Sequence, residues 1–139
     1  MEGVLVLAAA LAGATAFGLW RRRTNGRVSN HGGRAQQRLS SDELGTSLGE
    51  RATFVQFSSA FCQPCRANRQ VLGHLARTDD GIVHVDIDAE QNLDLVRRLG
   101  ITRTPTTFVL DAAGSIRRRA VGPLRLADAR AAVADVAGS

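Results

Sequence analysis

Phe61-Cys62-Gln63-Pro64-Cys65 stands where one periodicity stops and another starts. Just upstream, Thr53–Ser58 (TFVQFS) is rich in β-branched and aromatic residues and reads as a buried strand. Just downstream, Pro64 to about Arg77 reads as a helix whose apolar stripe is Val71, Leu72 and Leu75. Pro64 suits a first helical turn, where the backbone N–H has no partner in any case. A C-x-x-C pair at a helix start has a mechanism. The unpaired N–H groups and the helix dipole favour a thiolate at Cys62, and the thiolate is the species that attacks a disulfide. Cys65, one turn on, can reach the same sulfur, and Arg66 adds positive charge nearby. Two blander readings fit the same pair. Free cysteines are often simply packed in a core. Half a zinc site would need His74 and His84 to complete it, at a spacing that matches no zinc finger.

On either side of this segment, strand and helix signals alternate. Ser40 and Glu43 have capping-box spacing ahead of Leu44 and Leu48, which predicts a short helix. Asp79-Asp80-Gly81 is a turn, Ile82–Ile87 a second strand, and Asn92–Leu99 a helix that Gly100 ends. Thr106–Leu110 is a third strand, Asp111–Gly114 a hairpin turn, Ile116–Val121 a fourth strand, and Arg125–Val136 a closing helix. Leu126, Ala129, Val133 and Val136 form the inner face of that helix. The order (α)βαβαββα demands a parallel pair joined through a helix and then an antiparallel hairpin. The fold class is therefore α/β, with a central mixed sheet of four or five strands flanked by helices.

Charge divides the chain. All 18 basic residues are arginine, which removes every chemistry that needs a lysine. Residues 1–40 hold six arginines and one acid, and the remainder is balanced, so the net charge of +5 belongs to the N-terminal segment. With no Tyr and a single Trp, base-stacking platforms are scarce, and no nucleic-acid partner is expected. Gly3–Trp20 carries no charge and as a helix would span about 27 Å, close to a bilayer core. Trp20 followed by Arg21, Arg22 and Arg23 has the form of an interfacial anchor. A secretory signal would need a positive stretch ahead of the apolar run, where only Met1 and Glu2 stand, although Ala14-Thr15-Ala16 matches a cleavage pattern. The expectation is a transmembrane anchor at 1–22, a basic flexible linker at 23–38 that includes His31, and a soluble domain at 39–139. The positive-inside rule puts that domain on the cytoplasmic side of the membrane.

From about residue 38 to 138 the sequence resembles the thioredoxin-like thiol–disulfide oxidoreductases. FVQFSSAFCQPC (54–65) is similar to the family's strand and C-x-P-C motif, and RTPTTFVLDAAG (103–114) to its cis-proline segment and hairpin. Gly122 matches the glycine after the last strand. The resemblance implies that Cys62 and Cys65 are catalytic, with their disulfide as the working group and no organic cofactor or metal. It implies a cis bond at Pro105 and a substrate-binding surface of Phe61, Gln63, Pro64, Thr104 and Pro105. It also implies protein disulfides or dithiols as substrates, an NADPH-linked reductase as a recharging partner, and a role in cell redox homeostasis. An extracytoplasmic reductase of the cytochrome-maturation type and a non-catalytic binding module are the alternatives.

Three departures mark this chain. Phe61 replaces the family's tryptophan, and Gln63 its glycine. Gln56 stands where thioredoxins carry a buried aspartate, and His84 aligns with that aspartate's lysine partner. Glutamine accepts no proton, so Gln56 and His84 together form the expected proton-transfer environment of Cys65. His74 reads as a flank residue, and Asp86 and Asp88 as solvated strand-end carboxylates.

Overall fold

The computed structural model describes residues 1–24, 28–30 and 37–138. Its elements run α1 (Glu2–Thr24), β1 (Val28–Asn30), α2 (Ser41–Leu44), β2 (Ala52–Ser58), α3 (Gln63–Thr78), β3 (Ile82–Asp88), α4 (Leu93–Arg98), β4 (Thr106–Leu110), β5 (Ile116–Val121) and α5 (Leu126–Ala137). The sheet order is β1-β5-β4-β2-β3. β2 and β3 are parallel and joined through α3, while the β2–β4, β4–β5 and β5–β1 pairs are antiparallel. The mixed sheet expected from the element order is thus present, with five strands.

Alternation along the strands sorts two cores onto the two faces of the sheet. Ala52 and Phe54 of β2, with Ile82, Val109 and Ala120, pack against Leu72 and Leu75 of α3 and Ala129, Val133 and Val136 of α5. Val55 and Phe57, with Phe108, Leu110 and Ile116, pack against Leu39, Leu44 and Leu99 on the other side. β2 is buried at every position because both faces and both edges are covered. The capping box is formed in full: the Ser40 side chain accepts from the Glu43 N–H and the Glu43 carboxylate accepts from the Ser40 N–H. At the β4–β5 hairpin, Asp111 Oδ1 accepts from the N–H groups of Ala113 and Ser115, and Gly114 takes φ +82°. A side chain there would run into the Leu39 carbonyl, so only glycine fits.

Two boundaries differ from the expectation. The first helix continues past residue 22 to Thr24. Val28–Asn30, assigned above to a flexible linker, is a strand on the outer edge of β5, with Val28 opposite Ala120. Its composition hid it: three residues with one apolar side chain carry no periodicity, and the pairing is made by backbone groups. Next, Arg38 bridges Ser115 and Leu39 enters the core, so the domain begins before residue 39. His31, Arg27 and Arg34 lie outside the described residues.

Among the described residues one helix, Glu2–Arg23, is long and apolar enough to cross a membrane. Every residue described along it is exposed. Thr15 inside it donates its hydroxyl to the Leu11 carbonyl at 2.7 Å.

Candidate redox site

The C-terminal end of β2 delivers the chain to α3 through Ser59, Ala60 and Phe61. Phe61 takes φ +57°, an unusual conformation for a bulky residue, and its side chain is 98% exposed. Cys62 is the N-cap of α3, with Pro64 in the first turn as its fixed φ suits. Cys62 and Cys65 are joined in a disulfide. Cys62 is half-buried, whereas Cys65 is 1% exposed, so only the first sulfur is open to a partner. The N–H of Cys65 points at Cys62 Sγ at 3.2 Å.

Facing the pair is the turn into β4. The Thr104–Pro105 bond is cis. Thr104 Oγ1 lies 3.9 Å from Cys62 Sγ and 2.8 Å from Ser59 Oγ, tying the two loops together. The Gly122 N–H donates to the Pro105 carbonyl at 2.8 Å, so the end of β5 fixes the same turn. Gln63 and Pro64 are exposed beside Phe61. Phe61, Cys62, Gln63, Pro64, Cys65, Thr104 and Pro105 thus gather at one end of the sheet.

Behind the disulfide lies a chain of polar groups. Gln56 is fully buried. Its Nε2 donates to the Cys65 carbonyl at 2.9 Å and to Ser58 Oγ at 3.0 Å, and its Oε1 faces His84 Nε2 at 3.1 Å. A carbonyl oxygen only accepts, so the amide nitrogen must face Cys65. The amide oxygen therefore faces the imidazole, and His84 Nε2 carries the proton. Ser58 donates onward to Asp86 Oδ1 at 2.6 Å, and Arg69 Nε donates to Asp86 Oδ2 at 2.6 Å. Positions 56 and 58 on β2 and 84 and 86 on β3 share one face of the sheet, as the parallel register requires. Burial is the main force holding the His84 pKa below the ordinary histidine value. Asp86 pushes it back up and Arg69 lowers it again.

The reading of Asp86 as a merely solvated carboxylate is corrected here. It is partly exposed but held by Ser58 and by the Arg69 ion pair. The signal lay in the spacing, since Gln56, Ser58 and Asp86 fall on one face once β2 and β3 are parallel. Asp88 turns its carboxylate to the Glu90 N–H, and His74 is exposed on α3. Sequence reasoning passes over Asn68, which is fully buried one turn beyond Cys65. Its Nδ2 donates to Thr107 Oγ1 at 3.0 Å and its Oδ1 accepts from the Leu124 N–H at 2.8 Å. Its position in the stripe Cys65, Asn68, Leu72, Leu75 marks it as an inward-facing polar residue.

The family model described as Thioredoxin matches residues 37–135. The chain belongs to the thioredoxin family. Human thioredoxin domain-containing protein 2 is 34% identical over 71 residues, which cover 49% of this chain and 13% of that protein. This thioredoxin domain also resembles solved structures in fold. Chloroplastic thioredoxin z has 24% identity and a TM-score of 0.60, with 78% of this chain and 100% of that one covered. The thioredoxin of Malassezia sympodialis has 18% identity and a TM-score of 0.55, covering 77% and 98%. In this thioredoxin domain a neutral amide, Gln56, occupies the buried position behind the cysteine pair.

Proposed function

We propose that this thioredoxin-family chain is a membrane-anchored thiol–disulfide oxidoreductase acting on protein disulfides and dithiols. One observation carries the reading: the Cys62–Cys65 disulfide at the start of α3, with an accessible first sulfur, a buried second one and the Thr104–Pro105 turn beside it.

In the reducing direction, the Cys62 thiolate attacks one sulfur of a substrate disulfide. A Cys62–substrate disulfide forms and one substrate thiolate leaves. The Cys65 thiolate then attacks Cys62 Sγ, which releases the second substrate thiolate and closes Cys62–Cys65. Two electrons pass to the substrate. The Cys65 N–H and the N-terminus of α3 face Cys62 Sγ, where they favour a thiolate once the disulfide is reduced. Phe61, Gln63, Pro64 and the backbone of Thr104 supply the surface on which an extended substrate lies. Gln56 offers no base, and His84 Nε2 already donates its proton to the Gln56 amide oxygen, so the proton of Cys65 leaves by way of water. The two cysteines suffice as the redox group, and an NADPH-linked reductase would restore the dithiol.

The anchor is α1, apolar on all sides and closed by Trp20 and Arg21–Arg23. Those arginines favour a cytoplasmic domain. The test is trapping in cells. Cys65→Ser should accumulate mixed disulfides with partner proteins and Cys62→Ser none, and the chain should stay in the membrane fraction after an alkaline wash. Insulin reduction retained by Cys62→Ser would remove the nucleophile assignment.

A further inference from the structure

Between the C-terminal end of α1 and the β5–α5 side of the domain lies a cleft of about 670 Å³. Four arginines line it, Arg22 and Arg23 from α1, Arg118 from β5 and Arg125 at the start of α5, along with Asp128 and Asp135. Asp135 lies 3.5 Å from Arg118, and Asp128 lies 2.9 Å from Arg125. Four arginines against two aspartates leave the lining a surplus of two positive charges. Neither Arg22 nor Arg23 makes an ion pair among the described residues.

Position gives this charge its meaning. Arg22 and Arg23 follow Trp20 at the end of the apolar span, which is the depth of lipid headgroups if α1 crosses a bilayer. We infer that the cleft takes the phosphate of an anionic lipid headgroup and so docks the redox domain onto the membrane through its β5–α5 side. The inference rests on the anchor reading above. Charge complementarity favours this occupant: the guanidinium fork matches phosphate oxygens, and an anionic leaflet attracts basic groups at its surface. Arg125 is three residues from Gly122, a path of at most about 11 Å, and Gly122 bonds directly to Pro105.

The experiment uses the full chain in nanodiscs of phosphatidylcholine alone or of phosphatidylcholine with phosphatidylglycerol. Amide hydrogen exchange is followed over residues 115–135, and retention through an alkaline wash is measured in vesicles of the same lipids. Exchange should slow in the anionic discs only, and the slowing should weaken with added salt. Arg125→Gln and Arg118→Gln should each reduce the docked-to-free ratio about five-fold. Arg125 makes no side-chain cap bond and is largely exposed, so its variant tests docking without threatening the fold. Equal exchange in both lipids, with the chain retained on washing, would overturn docking and leave the anchor standing. Loss of the chain on washing would overturn the anchor, and docking with it. If inorganic phosphate protects the same amides equally in zwitterionic discs, the cleft is a site for free phosphate and the lipid assignment fails.

Discussion

Gln56 holds the carbonyl of Cys65 from within the sheet, its Nε2 donating at 2.9 Å to the oxygen of the buried cysteine. The amide thus fixes the backbone of the resolving residue while carrying no charge. The nearest charges on this path, Asp86 on the edge strand β3 and Arg69 on α3, reach Gln56 only through Ser58.

Replacing that amide by an acid separates its two properties. Gln56→Asp removes the donor to Cys65 and buries a carboxyl, which should cost about 2–4 kcal/mol at neutral pH. Burial raises the new carboxyl's pKa above its unfolded value of about 3.9. The deficit is therefore smallest in acid, grows as pH rises from about 3.9, and levels off above the folded value. Disulfide exchange should accelerate over that rise, because a base then stands beside Cys65. Urea midpoints and insulin-reduction rates measured across pH check both halves. An unchanged rate at every pH would show that position 56 takes no part in proton transfer.

His84 predicts a pH response of the unaltered protein. Its folded pKa lies below the ordinary value of 6.5, chiefly because the ring is buried. The unfolded chain therefore binds the proton more readily. The stability from neutral His84 is complete above pH 6.5 and is lost as pH falls through the folded value. The slope contributed by one proton cannot exceed about 1.4 kcal/mol per pH unit. Denaturation of wild type and His84→Gln compared across this window should yield a difference curve of that sign. Parallel curves would exclude His84 as the source.

Asn68 joins α3 to both β4 and the segment before α5. Asn68→Ala should orphan the buried Leu124 N–H and open a small void, at a cost of about 2–4 kcal/mol. Chemical denaturation measures it. A loss under about 1 kcal/mol would mean that the loop re-pairs on its own.

Phe61 carries a left-handed backbone under a side chain that buries nothing. That conformation costs an L-residue about 1–2 kcal/mol, against which glycine's extra unfolded-state freedom returns part. Phe61→Gly should hold or raise the melting temperature, and Phe61→Ala should not raise it. Both should increase the KM for a protein disulfide, since an exposed aromatic beside the open sulfur is removed. A normal KM for both variants would take Phe61 out of the substrate surface.

Where side chains imposed a period, the sequence was sufficient. TFVQFS reads as a strand because it is rich in β-branched and aromatic residues, and α3 as a helix because its stripe repeats at helical spacing. The cysteine pair was legible because its spacing and its place at a helix start carry the chemistry together. The Gln56–His84 pairing was legible from the resemblance, which aligns the two positions, and the parallel register of β2 and β3 puts both on one face. The Asp86–Ser58–Arg69 chain was legible only in part: the parallel register puts Gln56, Ser58 and Asp86 on one face, but the Arg69 side chain reaching across from α3 leaves no mark in their spacing. β1 was invisible for a different reason: what holds Val28–Asn30 is main-chain pairing with β5, which leaves no trace in residue type.

That short strand bears on how the protein can be handled. Cutting the chain just before residue 37, to free the thioredoxin domain from its apolar helix, would also strip β1 from the sheet. β5 would then present unpaired N–H and C=O groups along an open border, a template for another chain to join. The run Arg117-Arg118-Arg119 is a thin guard for that border, because Arg117 lies 3.9 Å from Asp111 and Arg118 lies 3.5 Å from Asp135, leaving a small net positive charge. High salt, which screens that residual repulsion, is the condition under which such a fragment should self-associate most readily while the uncut chain does not.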